Sequence, residues 1–451
     1  MANDENSRRN LLFVFSDQQS ALAMSGSGTP WVATPNLNRL AARGVRFDRT
    51  YCAAPVCGPS RACLVTGRAA HENGVRWNGQ PLNAGTPTFG QVIRKLGYDT
   101  AWAGKWHLPL SYPPQEVEIP GFENLAVPPE HPLLKREIGY GWPGFALGAN
   151  TDGLFVDEAI RFLDRPRRNP FCLVVSLHNP HDICWWIRKP KRLPGPAELP
   201  PLPANFGADP DEPEFLQQCR QRGHYGEELR YTEKWTDEDW RLYLHAYYRM
   251  TEHVDAEVGR LLTALEKRGL NDNTVVIFTS DHGEGMAAHR WVVKLAFHEE
   301  VVRVPLIVAG PGVRGAGRVD STSLVSGLDI FPTLCEAAGA GTSTGGGRSL
   351  WPLLKGECGG KDRALVVPLD PDDKAHELTG RMVVTARFKY CRYSVGERCE
   401  TLHDLVADPG EQRNLAQDPR HRSSLEAHRA RLREWMYTSG DRVPQFADMM
   451  R

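Results

Sequence analysis

The sequence has little that would suit a membrane protein. Nowhere does it carry an apolar run close to the length of about 20 residues that a helix needs to cross a bilayer. Its first residues, MANDENSRRNLLFVF, are polar and mixed in charge, and the apolar run that ends them is too short for the core of a signal peptide. We therefore expect a cytoplasmic protein that has no membrane partner.

An excess of charge of either sign is missing as well. The 451 residues include 54 lysines and arginines against 55 aspartates and glutamates. Because no broad positive field exists to attract a polyanion, the composition argues against a nucleic-acid partner. An anionic substrate would have to be held by a few local charges.

Paired cysteines are also absent. The ten cysteines form no CxxC pair and show no regular spacing. This argues against a zinc ribbon and, in so large a chain, against a disulfide scaffold. We expect most of the cysteines to be buried thiols.

What the sequence does contain is a regular alternation of short apolar runs and capped helical patterns. Such alternation predicts an α/β fold in which helices flank a mainly parallel sheet. The predicted strands are residues 11–16, 99–103, 171–177, 274–280 and 304–309.

Capping residues mark the predicted helices. Thr34 and Thr86 each precede a proline, which predicts two helices with threonine as the N-cap and proline at the first helical position. Residues 240–268 form a longer amphipathic pattern that ends before Gly269.

The chain is predicted to have two domains. Residues 1–360 would form the main α/β domain with the active site, and 361–451 a smaller α+β subdomain with an antiparallel sheet and a final helix over 421–436. Residues 109–150 and 188–239 are dense in proline, glycine and charge, which predicts long surface loops.

Two predicted strands end in the same pattern. LLFVFSDQQ places Asp17 and Gln18 after one strand, and TVVIFTSDHGE places Asp281 and His282 after another. Ligands of open α/β sheets bind beyond the carboxyl ends of the strands, so these side chains could converge on a cation. Oxygen-rich ligation favours Ca²⁺, with Mg²⁺ or Mn²⁺ as alternatives. The other interpretation is that each aspartate only caps the turn that follows it.

Basic side chains follow other apolar segments. AWAGKWHLP contains Lys105 and His107, VVSLHNPHD contains His178 and His181, and HRWVVK ends in Lys294. A single histidine or lysine is more often structural or solvated than catalytic. Positions directly after predicted strands favour a functional role for Lys105, His107 and His181.

One cysteine stands in an unusual segment, CGPSRACLVTG, which begins at Cys57. Pro59 favours the start of a helix just after it. The residues alone leave four interpretations of Cys57 open: a nucleophile, a metal ligand, half of a disulfide, or a small buried hydrophobe.

This segment resembles the signature of the formylglycine-dependent sulfatases of the alkaline phosphatase superfamily, in which Cys or Ser is followed by x-Pro-x-Arg and later by Thr-Gly. The similarity continues through TPNLNRLAARGVRF, GYDTAWAGKWHLP, NPHD, SDHGE, HEEVVRVPLIVAGPG and LHDLVADPGEQRNLA, so it spans nearly the whole chain. The resemblance implies an alkaline phosphatase-like fold and a sulfuric ester hydrolase that acts on an aryl or carbohydrate sulfate.

The resemblance also implies a modified nucleophile. A formylglycine-generating maturation enzyme would oxidise Cys57 to formylglycine, whose hydrate is a gem-diol. One hydroxyl would attack sulfur, and proton loss from the other would expel sulfate and restore the aldehyde. One divalent cation would be held by residue 57 and by the two strand-end pairs, which are Asp17, Gln18, Asp281 and His282.

Matching the remaining motifs implies the other roles. Arg61 would orient the diol, and Lys105 and Lys294 would hold the sulfate oxygens. His107 would take the proton of the second hydroxyl, and His181 would protonate the leaving oxygen.

Two further residues are candidates for substrate contacts. Asn78 follows the nucleophile segment and could reach the anion, or it could be an ordinary turn residue. His178 could face the substrate, support the site or be structural. His289 is a similar candidate near the leaving group.

The metal ligands depart from the commonest sulfatase pattern, which has aspartate in place of Gln18 and asparagine in place of His282. The same pairs occur in related phosphonate monoester hydrolases, which supply the alternative function: hydrolysis of a phosphonate monoester or phosphodiester by the same nucleophile. Those enzymes carry neutral residues where Lys105 and His107 stand, so this sequence favours a sulfatase. Outside enzymes, the alternative is an anion-binding protein in which Cys57 remains a thiol.

Overall fold

A computed structural model describes residues 8–109, 118–127, 151–188, 198–207, 211–221, 226–341, 346–357, 363–370 and 377–450. Most of the predicted loop 109–150 and the predicted domain boundary at residue 360 lie outside these residues. The division into two domains therefore stays a prediction.

The elements are numbered in chain order. The strands are β1 (Asn10–Asp17), β2 (Gly44–Phe47), β3 (Thr50–Tyr51), β4 (Asp99–Gly104), β5 (Glu123–Asn124), β6 (Phe171–Pro180), β7 (Thr274–Ser280), β8 (Leu306–Ala309), β9 (Arg318–Asp320), β10 (Val325–Ser326), β11 (Leu365–Leu369), β12 (Gly380–Val384), β13 (Phe388–Tyr393) and β14 (Glu400–Asp404). The helices are α1 (Pro35–Ala42), α2 (Cys57–Thr66), α3 (Ala70–Asn73), α4 (Phe89–Lys95), α5 (Thr151–Asp164), α6 (Ile183–Arg188), α7 (Glu214–Gln221), α8 (Gly226–Tyr231), α9 (Asp237–Lys267), α10 (Glu299–Val302), α11 (Ile330–Ala337), α12 (Trp351–Leu354) and α13 (Arg422–Ser439).

The main sheet is mixed but mostly parallel in its centre. Among the described residues it has eight strands, in the order β5-β4-β6-β1-β7-β8-β2-β9. Strands β4, β6, β1 and β7 run parallel, with Phe13 opposite both Val174 and Ile277. Strand β8 is antiparallel to β7 and to β2. The predicted α/β fold with a mainly parallel sheet is confirmed.

Helices cover both faces of the central strands. Phe15 of β1 packs edge-to-face on Trp102 of β4 on one face. Leu12 and Val14 belong to a second cluster, with α5 and α9, on the other face. A strand that is covered on both sides is apolar along its length, since successive side chains point to opposite faces. This explains the run LLFVF, after which the charged Asp17 stands at the carboxyl edge of the sheet.

A second, antiparallel sheet follows in the carboxyl-terminal part of the chain, in the order β11-β12-β13-β14. On one face Val383 and Tyr390 pack with Leu432 of α13. On the other face Met382 and Cys391 join the large apolar cluster to which α9 also contributes. The predicted antiparallel sheet is confirmed.

One predicted helix start is wrong. Helix α4 begins after Thr88 rather than Thr86, and the side chains of Thr88 and Gln91 exchange hydrogen bonds with each other's backbone N–H groups, at 3.3 and 3.0 Å. Such a reciprocal capping box satisfies two donors at the helix end. Helix α1 does follow Thr34, although the side chain of Thr34 bonds to Ser25 and does not cap the helix.

The prediction of a surface loop over 188–239 is also wrong in part. Helices α7 and α8 lie within it, and α9 already begins at Asp237. Phe215 and Leu229 of these short helices are buried in the same cluster as Trp240. Their few apolar residues are interrupted by charges, so no clear period shows in the sequence. The strand predicted at 304–309 begins at Leu306 and is antiparallel to its neighbours.

The structure also bears on the cysteines and on the membrane-spanning segments. Nine cysteines are described, all are free thiols, and eight of them are buried. Within the described parts of the chain, no helix combines the length and the apolar composition needed to cross a lipid bilayer.

Candidate active site

The carboxyl ends of β1 and β7 lie side by side. These parallel strands pair with Ser16 opposite Ser280, so Asp17 and Asp281 follow at the same edge of the sheet. The backbone N–H of Gln18 donates to Oδ1 of Asp281 at 3.0 Å. The pattern that the sequence repeats therefore forms one site.

His282 completes this group. Its Nε2 lies 3.8 Å from Oδ1 of Asp17 and 3.7 Å from Oδ1 of Asp281. Its Nδ1 lies 2.8 Å from the carbonyl oxygen of Gly283. Because a carbonyl can only accept, Nδ1 donates that bond and Nε2 is the nitrogen that faces the carboxylates. Burial lowers the pKa of His282, but Asp281 and Cys57 raise it more, so the pKa lies above its ordinary value.

Cys57 is the first residue of α2 and is fully buried. Its Sγ lies 2.9 Å from Nζ of Lys294, 3.2 Å from Nε2 of His282 and 3.7 Å from Oδ1 of Asp17. Burial and Asp17 raise the pKa of the thiol, but Lys294 and His282 lower it more, so the pKa lies below its ordinary value. Residue 57 is therefore part of the strand-end group.

Arg61, one turn further along α2, connects these elements. Its Nε donates to Oδ2 of Asp281 and its Nη2 to Oδ2 of Asp17, both at 2.9 Å. Its Nη1 donates to the backbone oxygen of Lys105 and to Oγ of Ser176, both at 2.8 Å. The planar guanidinium thus fixes the positions of both carboxylates.

Two lysines reach the group from separate segments. Nζ of Lys105, just after β4, lies 2.6 Å from Oδ2 of Asp17. Nζ of Lys294, between β7 and α10, donates to Oε1 of Gln18 at 2.8 Å. Burial raises the pKa of Asp17, but Lys105 and other nearby cations lower it more, so the carboxyl has a pKa well below its usual range.

The backbone around the site is held in unusual conformations. Gln18 and His107 have φ values of 73° and 67°, a region that residues with a Cβ rarely adopt. Gly104 has φ of 95°, and a Cβ at this position would lie 2.1 Å from the carbonyl oxygen of Ser176. Strained positions of this kind cluster at functional sites, where the surroundings hold them.

The predicted base and acid are both partly buried and lie near the lysines. Burial lowers the pKa of His107 well below its ordinary value, and Lys105 lowers it further. Burial likewise lowers the pKa of His181, and Lys294 adds to the shift. A neighbouring positive charge disfavours a second one, so both imidazoles are neutral near neutral pH in the substrate-free protein.

The two other candidates for substrate contacts have structural partners. Oδ1 of Asn78 accepts the backbone N–H of Gly58 at 2.7 Å, at the start of α2. Nε2 of His178 lies 3.2 Å from Oδ1 of Asp182, and its ring centroid is 5.0 Å from that of His181. His178 therefore adjoins the predicted acid.

The sequence matches the profiles of two known protein families. The sulfatase family profile matches residues 9–340, and the profile of the N-sulphoglucosamine sulphohydrolase C-terminal region matches residues 287–437. The chain belongs to the sulfatase family.

Individual relatives of this sulfatase cover almost its full length. It is 32% identical to the Delta 4,5-hexuronate-2-O-sulfatase of Bacteroides thetaiotaomicron, over 96% of this chain and 89% of that protein. The solved structure of a 2-O GAG sulfatase superposes with a TM-score of 0.84 at 30% identity, covering 96% of this chain and 93% of that one. The phosphonate monoester hydrolase of Agrobacterium radiobacter superposes with a TM-score of 0.79 at 26% identity, covering 96% of each chain.

The sulfatase family implies a divalent metal, and the donor atoms at the sheet edge suit one. Two carboxylates and an imidazole in a buried position are ligands that a divalent cation accepts. Oε1 of Gln18 adjoins them, because it shares Nζ of Lys294 with Sγ of residue 57. Four side chains each offer a ligating atom within 4.8 Å of the others: Asp17, Cys57, Asp281 and His282.

Glu284, which holds Gln18 in place in this sulfatase, was not among the residues predicted from the sequence. Nε2 of Gln18 donates to Oε2 of Glu284 at 2.5 Å. The other carboxylate oxygen accepts the hydroxyl of Tyr243 and the backbone N–H of Val293. This orientation turns the amide oxygen of Gln18 toward Lys294. The position of Glu284 in SDHGE, two residues after His282, was the signal available.

Proposed function

We propose that this sulfatase hydrolyses a sulfate monoester of a saccharide or an aryl alcohol, and that its nucleophile is a formylglycine made from Cys57 by a formylglycine-generating enzyme. The supporting observation is the position of Cys57 at the start of α2, with Sγ 2.9 Å from Nζ of Lys294 and 3.2 Å from Nε2 of His282. A structural thiol gains nothing from such neighbours. An oxygen nucleophile and an anionic substrate are both stabilised by them.

The metal in this proposal is Ca²⁺, with Mg²⁺ or Mn²⁺ as alternatives. When bound, it would lower the pKa of the nucleophilic hydroxyl and offset charge on the sulfate oxygens. Arg61 keeps the carboxylate ligands aligned through its paired hydrogen bonds. The ligands are residue 57, Asp17, Gln18, Asp281 and His282.

Lys105 and Lys294 hold the sulfate oxygens in this proposal. Only 5% of Lys105 and 0% of Lys294 is exposed, so water screens their charges little. Fixed positive charges in such a site stabilise the negative charge that shifts as the ester bond breaks. Each ammonium is already positioned by a contact to Asp17 or to Gln18 before substrate arrives.

His107 and His181 divide the proton transfers. The lowered pKa of His107 keeps its imidazole neutral, so it has a lone pair that can take the proton of the second diol hydroxyl. His181 must carry a proton in order to give one to the leaving oxygen. The negative charge of a bound sulfate raises the pKa of His181, which favours the imidazolium when the substrate is in place.

Saccharide sulfates are the substrates to test first, because a relative of similar length is named for action on a hexuronate 2-O-sulfate. The alternative function is hydrolysis of a phosphonate monoester or phosphodiester. The similar fold of a phosphonate monoester hydrolase supports that alternative. The presence of Lys105 and His107, where phosphonate monoester hydrolases carry other residues, favours the sulfate ester.

The experiment compares two substrates on one preparation. The chain is co-expressed with a formylglycine-generating enzyme, and mass spectrometry verifies the aldehyde at Cys57. We expect a higher kcat/KM on nitrophenyl sulfate than on the nitrophenyl ester of phenylphosphonate, and activity on members of a panel of sulfated saccharides. Lys105→Ala should lower kcat/KM for the sulfate by about 100- to 1,000-fold, as for loss of one oxyanion donor, and should affect the phosphonate less.

The ratio of the two rates is insensitive to partial unfolding of the variant, because both substrates meet the same protein. Hydrolysis of the phosphonate alone by aldehyde-bearing protein would establish the alternative function. Failure to release any of the leaving groups would favour a protein that only binds anions.

A further inference from the structure

A second group of ligating side chains is separate from the one around Cys57. His289, His298 and Glu411 each offer one ligating atom, and the three atoms lie within 4.8 Å of one another. The rings of the two histidines stack with centroids 4.2 Å apart. The sulfatase chemistry described above uses none of these groups.

A small cavity opens between these side chains. Its volume is about 30 Å³, and its lining includes His289, His298, His403, Cys391 and Glu411. A single water molecule needs roughly 10–15 Å³ of such cavity volume. The cavity therefore has room for one ion and a water, and its walls carry several groups that can ligate it.

Two imidazole nitrogens at this place are buried without a hydrogen-bond partner among the described residues. They are Nε2 of His298 and Nδ1 of His403. Buried polar atoms in folded proteins are nearly always paired with protein, water or an ion. Here the described residues supply no partner, and both histidines line the cavity.

Two hydrogen-bond donors hold the carboxylate of Glu411 in place. The backbone N–H of Glu299 donates to its Oε2 at 2.8 Å, and Nζ of Lys389 lies 2.5 Å from its Oε1. A carboxylate has about four lone-pair positions, so these two donors leave room for a metal bond. Outer contacts of this kind orient metal ligands in known sites.

We propose that this cavity binds Zn²⁺, with His289, His298 and Glu411 as ligands and His403 or a water as the fourth. Zn²⁺ is bound by imidazole nitrogen and carboxylate oxygen at about 2.0–2.2 Å, with four ligands in a tetrahedron. Ca²⁺ and Mg²⁺ prefer oxygen ligands, so the imidazoles select against them. Binding draws the donor atoms together, and the stacked rings turn so that their nitrogens converge.

The bound metal would fasten two parts of the molecule to each other. His289 and His298 flank the segment that carries Lys294, whereas Glu411 follows β14 of the carboxyl-terminal sheet. That segment contains non-glycine residues with positive φ, which persist only where the surroundings hold them. They include His289 at 53°, Arg290 at 52°, Val293 at 60° and Leu295 at 68°.

The test uses Co²⁺ as a spectroscopic probe on the full chain. The protein is stripped with a chelator, supplied with excess Ca²⁺ to fill the oxygen-rich active site, and titrated with Co²⁺. We expect one equivalent of Co²⁺ to give the strong visible absorption of a tetrahedral site, without the near-ultraviolet band of cobalt bound to thiolate. Zn²⁺ should displace the Co²⁺ and raise the Tm.

Variants assign the signal to this cavity. His298→Gln should abolish the tetrahedral absorption, whereas His253→Gln, at an exposed position of α9, should retain it. If His298→Gln does not fold, Glu411→Gln replaces it, since its amide oxygen can still accept one of the two donors. The proposal is overturned if wild-type protein gives no tetrahedral absorption, if thiolate bands accompany it, if excess Ca²⁺ removes it, or if it survives in the folded variant.

Discussion

At the scale of single residues, the orientation of one amide matters most. Gln18 stands where many sulfatases have a second aspartate, and the buried carboxyl group of Glu284 lies one hydrogen bond further away. Since Nε2 of Gln18 donates to Glu284, its Oε1 faces Lys294, which also contacts Cys57, one of the four candidate metal ligands. In the proposed metal site, Glu284 would therefore keep the oxygen of Gln18 turned toward the cation and its nitrogen turned away.

Glu284→Gln should weaken metal binding. The new amide can still accept from Tyr243, but its NH₂ group would face the NH₂ of Gln18, so the amide of Gln18 should turn over and present nitrogen to the metal. We expect the dissociation constant for Ca²⁺, measured by isothermal titration calorimetry, to rise about 10- to 100-fold, as for other losses of contacts behind metal ligands.

The exchanged pair is the matched control. Gln18→Glu combined with Glu284→Gln restores a donor facing an acceptor and should recover much of the affinity. Unchanged Ca²⁺ affinity in Glu284→Gln would show that the orientation of Gln18 does not matter for the metal.

Site residues that directly follow a strand could be predicted from the sequence. Residues that contact the site only through another side chain could not. Asp17, Asp281 and His282 could be predicted because parallel strands bring their carboxyl ends to one edge. Ser176 and Glu284 contact the site through Arg61 and Gln18, and no spacing along the chain reports such contacts.

At the scale of elements, the start of α2 positions the proposed nucleophile. The backbone N–H of Gly58 donates to Oδ1 of Asn78 at 2.7 Å, which satisfies one of the donors that the first turn of a helix leaves unpaired. A Cβ at Gly58 would lie 2.9 Å from the same oxygen, so only glycine fits there without displacing Asn78.

Asn78→Ala should therefore destabilise the helix start. We expect the free energy of unfolding to fall by about 0.5–2 kcal/mol, the range for the loss of a side-chain acceptor at a helix N-terminus. Urea denaturation followed by circular dichroism measures the change.

Asn78→Asp keeps the acceptor oxygen and should retain most of the stability. Its added negative charge should raise KM for a sulfate ester if the side chain also lies near the anion. Equal stability of the alanine variant and wild-type protein would contradict the capping role.

Helix boundaries were the least predictable part of the elements. Two threonines, Thr86 and Thr88, precede the same helical pattern, and a proline after the first favoured the wrong one. The reciprocal bonds between Thr88 and Gln91 decide the start, and they depend on the path of the preceding chain.

At the scale of the whole molecule, ion pairs join the carboxyl-terminal sheet to the rest of the chain. Asp370, just after β11, accepts from Arg76 at 2.9 Å and from Arg381 at 3.3 Å. Arg381 also bonds to Asp441 after α13 at 2.6 Å. Burial raises the pKa of Asp370, but Arg381 and Arg76 lower it more, so the pKa lies below its ordinary value.

This shift predicts how stability depends on pH. A carboxyl whose pKa is depressed on folding stabilises the native state above its unfolded pKa of about 3.9, and the contribution is lost as pH falls through the lower native pKa. Asp370→Asn should therefore cost about 3 kcal/mol in the free energy of unfolding, and the cost should be constant from about pH 8 to pH 5.

Urea denaturation of both proteins from about pH 8 to about pH 3 tests the prediction, and the difference in the free energy of unfolding should shrink below about pH 4. A difference that grows on acidification would mean that the native pKa of Asp370 is raised. Arg76→Gln removes one partner only and should have a smaller effect.

The general architecture was predictable, and the way in which its parts pack was not. Short, continuous apolar runs such as LLFVF and TVVIF predict strands, because a sheet that is covered on both faces needs apolar residues throughout. By contrast, the contact of Arg76 with Asp370 joins residues far apart in the chain, and charge alone does not reveal the partner of a given arginine.

The central claim is that Cys57 acts only after conversion to formylglycine. The most direct test measures the rate of sulfate release against the fraction of aldehyde at Cys57, in preparations made with and without the maturation enzyme at equal metal loading. We predict that the rate is proportional to the aldehyde fraction and is zero for Cys57→Ala. A rate that is the same at low and high aldehyde content would contradict the account.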